Sequence, residues 1–215
     1  MKAAKSGRTR RSKSSGRWLR EHFSDPYVKR ARAEGARSRA VFKLEEIDQR
    51  ERLLRPGSVV LDLGAAPGAW SQYAVRRVGA AGRVVASDIL AMPSIAGVEF
   101  LQGDLREAAV LEALERTVGK GGVDLLLSDM APNLSGMGEI DAPRAMYLAE
   151  LALDLAQTVL KPGGAALIKL LQGAGFQELV AVARRRFDRV KFLKPQASRA
   201  RSAELYLLAK HFLMV

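Results

Sequence analysis

Four carboxylates recur at one kind of place in this sequence. Asp62 lies at the end of SVVLDL (58–63), Asp88 ends RVVASD (83–88), Asp104 ends VEFLQGD (98–104) and Asp129 ends VDLLLSD (123–129). Each run is short, apolar and rich in β-branched residues, so each acid stands near the carboxyl end of an expected strand. Any one of them alone reads as a loop acid or a helix cap. Four in register suit a ligand with a diol, an amino-bearing ring and a cationic centre better than a polyphosphate. Asp88 follows Gly64 by 24 residues, the distance at which an acid holds a ribose diol in nucleotide-binding α/β folds. Three further residues are charged in apolar company. Lys169 interrupts ALIKLL, Glu204 opens ELYLLAKHF, and Lys43 stands beside apolar neighbours in AVFKLEEI. A charge inside an apolar strand is costly unless it is paired. The plainer readings are a lysine snorkelling off a strand end, an edge-strand charge and a solvated helix lysine.

The loop after the first run is Gly64-Ala65-Ala66-Pro67-Gly68-Ala69-Trp70. Its small residues let the backbone approach a ligand closely, and the next helix offers its N-terminal N–H groups. It is not a dinucleotide fingerprint, because Pro67 stands where that loop needs freedom, and no Gly-Lys-Ser/Thr follows as in a phosphate-binding loop. A tight turn without a ligand would look similar. With the four carboxylates, the loop fits S-adenosylmethionine. Histidine and cysteine contribute little: there are 2 His, His22 and His211, and 0 Cys. That excludes Cys-ligated metal sites and a disulfide framework. Acid–base chemistry is left to Asp, Glu, Lys or Tyr.

The elements that must position these groups alternate. SRAVFKLEEIDQRERLL from Ser38 reads as a helix that Ser38 caps, closed by Arg55-Pro56-Gly57. Helices follow over 69–78, 105–118, 143–160, with Leu148, Leu151, Leu155 and Val159 on one stripe, and 176–187. Strands are expected at 58–63, 83–88, 98–104 and 123–129, in GAALIKLL after Pro162-Gly163-Gly164, in RVKFLKP, and at 204–212. Alternating strands and helices mean an α/β fold, a mostly parallel seven-stranded sheet covered on both faces, with ligands at the carboxyl ends of its strands. The last two strands are joined by too few residues for a parallel crossover, so the final strand is expected to be antiparallel.

The length, 215 residues, suits one domain at 18–215 behind a tail at 1–17 that is basic and poor in apolar anchors, hence disordered by composition. No apolar run reaches membrane length and no secretory leader is visible, which gives the expectation of a cytoplasmic protein. Net charge is +12, and it is segregated: +8 over 1–20, −5 over 56–183 and +7 over 184–215. Basic ends around an acidic centre point to a polyanion, and to nucleic acid first. Arg10, Arg11, Arg17, Arg30, Arg32, Arg37 and Arg39 would form one side of a track, with Arg199 and Arg201 reaching the same cleft.

Four blocks in order carry a resemblance. They are Ser38-Arg39-Ala40-x-Phe42-Lys43-Leu44, Asp62-Leu63-Gly64-Ala65-Ala66-Pro67-Gly68-x-Trp70-Ser71, Asp129-Met130-Ala131-Pro132-Asn133-x-Ser135-Gly136, and the strands of Lys169 and Glu204. From about Trp18 to Phe212 the chain resembles the FtsJ/RlmE family of ribose 2′-O-methyltransferases. The resemblance implies a Rossmann-like class I methyltransferase fold, S-adenosylmethionine as methyl donor and RNA as acceptor. It implies a catalytic tetrad of Lys43, Asp129, Lys169 and Glu204. It places donor contacts at Gly68, Trp70, Asp88, Asp104 and Asp129, to which the loop reading adds Asp62, Gly64, Ala66 and Pro67. Ala69 departs from the second glycine that many relatives carry there.

The single-domain length resembles the bacterial group that modifies a uridine in the A loop of 23S ribosomal RNA. The large ribosomal subunit is therefore the expected partner, and a monomer without metal the expected state. The implied reaction is in-line displacement at the methyl carbon by the ribose 2′-oxygen, with Lys169 as base or as orienting group for the hydroxyl. Relatives acting on tRNA share the tetrad, so tRNA stays open as the acceptor. A ribosome-assembly factor that binds RNA without catalysis is the reading from a different class.

Overall fold

The computed structural model describes residues 25–133, 135–199 and 202–213. The basic tail at 1–17, the expected onset of folding at Trp18, His22 and Arg201 lie outside the described residues. Two helices come first, α1 (Pro26–Ala33) and α2 (Val41–Glu51). Then follow β1 (Val59–Leu63), α3 (Ala69–Val78), β2 (Arg83–Asp88), β3 (Val98–Gln102), α4 (Ala108–Val118), β4 (Val123–Ser128), α5 (Gly138–Val159), β5 (Leu160–Leu171), α6 (Phe176–Arg186), β6 (Phe187–Leu193) and β7 (Glu204–Phe212). The strands form one seven-stranded sheet in the order β3-β2-β1-β4-β5-β7-β6. The β1–β2, β2–β3, β1–β4 and β4–β5 pairs are parallel, and β7 is antiparallel to both β5 and β6. The mostly parallel α/β sheet and its antiparallel last strand are therefore as the alternation predicts. No described helix is long and apolar enough to cross a membrane.

Strand periodicity sorts side chains between two cores. Leu61, Leu63, Leu126, Ala166, Ile168 and Leu207 pack toward α4, α5 and α6. Val60, Leu125, Leu127, Leu167, Tyr206 and Leu208 pack toward α2 and α3. Residues two apart share a face. Asp129, two beyond Leu127, and Lys169, two beyond Leu167, thus continue the rows on the α2 side, and Glu204 shares the face of Tyr206. Register completes the placement, since Lys169 pairs with Tyr206 and Leu171 with Glu204 across β5 and β7.

Several helix ends differ from expectation for identifiable reasons. Ser38 does not cap α2: its hydroxyl accepts from Ala40 N (3.2 Å), and the helix begins at Val41 without a side-chain cap. Helix α4 starts at Ala108 rather than 105, because the Asp104 carboxylate takes the Arg106 N–H (3.0 Å) in a turn before it. Helix α5 starts one turn earlier than Pro143 and carries the proline inside. A proline that close to the start forfeits a single intrahelical bond. Of the expected stripe, Leu155 and Val159 are buried and Leu148 and Leu151 only half-buried, while Ala145, Ala149, Ala152 and Ala156 complete the packed face of α5. The region from 187, expected to end a helix, is already strand β6.

Candidate active site

Five side chains converge where β4, β5 and β7 meet α2. The Lys169 ammonium donates to the backbone oxygen of Asp129 and lies 3.1 Å from its Oδ1. The Tyr206 hydroxyl donates to the same Oδ1 at 2.7 Å. Lys43, reaching in from α2, donates to Glu204 Oε1 at 2.5 Å, and its ammonium stands 5.8 Å from the centroid of the Tyr206 ring. Ser198 also donates to Glu204 Oε1, at 3.4 Å. The four charged side chains retain only 11–19% exposure, so they look out through a narrow opening. All four residues of the expected tetrad are therefore brought together, as two ion pairs linked through one phenol.

Tyr206 is the member that sequence reading missed. Its ring is fully buried, tilted against Trp70 with 5.7 Å between centroids. Burial first, then the charges of Asp129 and Glu204, push its phenol well above the usual range. It therefore stays a proton donor throughout the physiological range and fixes the Asp129 carboxylate. The available signal was the two-residue step from Glu204 along one strand face, but an aromatic in an apolar strand reads first as core.

Asp129 also borders a second feature on the other face. A cavity of about 240 Å³ is lined by Gly64, Ala66, Ser87, Asp88, Ile89, Leu90, Asp104, Met130, Asn133, Leu148 and Leu151, among others. Asp88 accepts from Ala66 N and from Leu90 N, both at 2.8 Å, so it ties the glycine-rich loop to the end of β2. Hydrogen bonds from the Arg106 side chain and backbone hold the Asp104 carboxyl below its usual range. Gly64, at φ 71°, has no room for a side chain: a Cβ would stand 2.8 Å from Met130 backbone atoms. The buried Ser87 hydroxyl has no partner. Acidic groups, half-exposed apolar side chains and an unmet hydroxyl suit a cationic ligand that carries a diol and a flat ring.

Four expected donor contacts stand behind this cavity instead of on its wall. Asp62 is fully buried, accepts from the Ser71 hydroxyl at 2.5 Å, and leaves its second oxygen without a partner. Burial, opposed by the Ser71 bond and reinforced by the charges of Asp129 and Asp88, raises its pKa to about 7. Trp70 is buried and donates to Ala40 O at 2.8 Å, which fixes the start of α2 against α3. Gly68 (φ 99°) opens α3, and a Cβ there would stand 2.8 Å from Ile95. Pro67 offers its carbonyl to Arg37 at 3.0 Å. Ala69 is buried at the first helical position without a positive φ, so its methyl costs no backbone strain.

The loop beyond Asp129 is clipped by a residue that the sequence did not single out. Asp141, on the first turn of α5, accepts from Ser135 N (2.8 Å), Ser135 Oγ (2.9 Å) and Gly136 N (3.0 Å). Those bonds lower its pKa. Part of the expected arginine track is likewise structural. Arg37 donates to the carbonyls of Pro93 (2.6 Å) and Ser94 (2.7 Å) as well as Pro67. Arg39 binds Asp25 and the Ala197 carbonyl, and Arg30 pairs with Glu34 and Glu45. These three guanidinium groups are engaged within the fold.

Known proteins resemble this chain in sequence and fold. The sequence profile of FtsJ-like methyltransferases matches residues 36–212. Proteins named ribosomal RNA large subunit methyltransferase E, from Stenotrophomonas maltophilia and Xanthomonas euvesicatoria, are each 62% identical over 200 residues, covering 93% of this chain and 95% of the relative. A solved structure titled as a ribosomal RNA methyltransferase from Plasmodium falciparum superposes with a TM-score of 0.72 at 27% identity, covering 82% of this chain and 98% of that one. A second, from Clostridium thermocellum, shares the fold at a TM-score of 0.53 and 16% identity, covering 78% and 96%.

Proposed function

The chain belongs to the FtsJ-like methyltransferase family, and from that premise we propose that it methylates a ribose 2′-hydroxyl of ribosomal RNA with S-adenosylmethionine as donor. The acceptor in this reading is a uridine of the 23S A loop; the relatives' names support large-subunit ribosomal RNA as the substrate class. Residues 18–215 act as one methyltransferase domain, and the charge of the basic segment 1–17 adds affinity for RNA phosphates. The observation that carries the reading is the contact of the two features through Asp129. Its side chain holds Lys169 and Tyr206, and the same residue borders the acidic cavity.

The cavity fits the donor. Asp88 has acceptor capacity for a ribose diol, Asp104 for an amino group, Ile89 and Leu90 for the faces of a ring, and the Asp129 side for positive charge. Gly64 and Ala66 keep the loop backbone close, while Asp62, Pro67, Gly68 and Trp70 shape that loop from behind. When bound, the donor supplies a methyl group already activated by a sulfonium. The protein's tasks are then alignment and proton handling at the 2′-oxygen. Lys169 has two acceptors on Asp129, and its third N–H is left for the ribose hydroxyl. A hydrogen bond to one lone pair of the 2′-oxygen leaves the other free to bond carbon, and the hydroxyl proton passes to water as that bond forms. Lys43 and Glu204 frame the ribose from the α2 side, fixed relative to Lys169 by Tyr206.

The test is transfer of labelled methyl to unmethylated large subunits, beside naked ribosomal RNA, tRNA and a Lys169→Ala control. Label in subunit RNA that resists alkaline cleavage at its 3′ phosphodiester and vanishes in the control is the expected result. Label on tRNA alone would move the acceptor and keep the chemistry.

A further inference from the structure

At the end of the sheet away from the site, a groove of about 320 Å³ opens between the end of α2, the starts of β1 and β4, the Pro162–Gly163–Gly164 stretch where β5 shifts register, and the end of β7. Among the described residues only two that are not glycine have left-handed backbone, Arg52 (φ 51°) and His211 (φ 58°), and both line this groove. An arginine held in that conformation carries strain that a glycine would not. Arg52 takes it as the residue that closes α2, its N–H bonded to Asp48 O at 2.7 Å, a position that glycine usually fills.

The charges in the groove divide into two sets. Lys210 is bonded to Glu51 at 2.7 Å and Lys161 to Asp124 at 3.0 Å, and Lys191, outside the groove, also reaches Glu51 at 3.1 Å. His211 lies 3.2 Å from Asp188. Arg52 and Arg55 are different: both are exposed, and neither guanidinium pairs with a carboxylate among the described residues. Two free guanidinium forks thus stand over a floor whose acids are already neutralised. Open space surrounds the missing side chain of Gly163, so another backbone can come close. The groove has no Phe, Tyr or Trp, and its apolar lining is only Leu53, Pro162 and Ala165. Protein-binding surfaces are richer in aromatic and apolar anchors. Guanidinium forks suit phosphate oxygens.

We propose that this groove binds backbone phosphates of the RNA substrate, as a second contact patch remote from methyl transfer. The proposal rests on the RNA reading above. Along β5, Ala165 at the groove and Lys169 at the site are four residues apart, about 13 Å at strand rise.

The experiment is fluorescence-anisotropy binding of a large-subunit ribosomal RNA fragment to the full chain across a salt series. It compares wild type, Arg52→Gly, Arg55→Gln and the double variant, with melting temperatures measured alongside. The double variant is expected to bind about tenfold more weakly at low salt, with its log–log salt slope reduced by about 2. Arg52→Gly alone is expected to bind more weakly while melting higher, because glycine relieves the backbone. Unchanged affinity and slope in the double variant overturn the proposal. So does a loss of binding to a polyglutamate probe with RNA binding intact, which would make the groove a protein surface. Failure of wild type to methylate ribosomal RNA would remove the functional reading, while the binding comparison still decides the groove.

Discussion

On the α2 face, Lys43, Glu204, Lys169, Asp129 and Tyr206 bind one another, and every charge has a partner. Across the sheet, the cavity beside α5 is lined by a hydroxyl with no partner, that of Ser87, and Asp62 behind the loop keeps one unmet oxygen. The first region is organised before any ligand arrives, so its dipoles need no rearrangement when charge shifts in the reaction. The second has hydrogen-bonding capacity still to be met. The contrast teaches that changes on the α2 face should act on rate, and changes around the cavity on donor affinity.

The largest expected effect is that of Lys169→Ala. Turnover should fall on the order of a thousandfold, about 4 kcal/mol of transition-state stabilisation. Affinity for S-adenosylhomocysteine should change far less, because Lys169 itself does not line the cavity. Single-turnover transfer and calorimetric titration measure the two. A parallel loss of both would erase the distinction between the faces.

Next comes Asp62→Asn, read as stability. Asp62 titrates at about 7 when folded, against an ordinary 3.8. At the acid end both folded and unfolded chains hold its proton. Between about pH 4 and pH 7 only the folded chain keeps it, so this group's contribution to stability declines as pH rises and is lost above the folded pKa. The asparagine variant lacks that penalty. Its advantage in urea unfolding should grow from near zero at about pH 4 to on the order of 4 kcal/mol at about pH 8. A flat difference across that range would mean that the carboxyl is not strained by burial.

Asp88→Ala should weaken donor binding by about 10- to 100-fold, on the order of 2 kcal/mol, with turnover at saturating donor largely retained. Tyr206→Phe is the smallest and sharpest case. It removes one hydrogen bond to Asp129 and keeps the ring on Trp70, so turnover should fall about tenfold with donor affinity unmoved. If donor affinity followed instead, Asp129 would belong to the cavity more than to the lysines.

Local signals made much of this legible. Helix α3 and strands β2 and β7 begin and end where their patterns do, because Gly68 and Gly79 bracket the helix and the strands are short uninterrupted runs. Lys169 and Glu204 stood out because charge in an apolar strand needs a partner. Residues whose role depends on distant chain stayed hidden. Tyr206 looks like core until Asp129 is placed beside it. Asp141 looks like an acid in the first turn of a helix, yet its bonds run back to Ser135 and Gly136. Arg37 and Arg39 look like RNA ligands, but their carbonyl and carboxylate partners come from loops that only the fold brings near. Composition counts charges without showing which are already spent.

Strand β7 lies between β5 and β6, although it is synthesised after both. It supplies Glu204 and Tyr206, and the Lys43–Glu204 bond spans 161 residues of chain. A ribosome that has released the polypeptide only as far as β6 has therefore made the loops of the cavity but not the acceptor pair. The cluster of Lys43, Asp129, Lys169, Glu204 and Tyr206 is thus complete only once the last-made strand stands in the middle of the antiparallel edge.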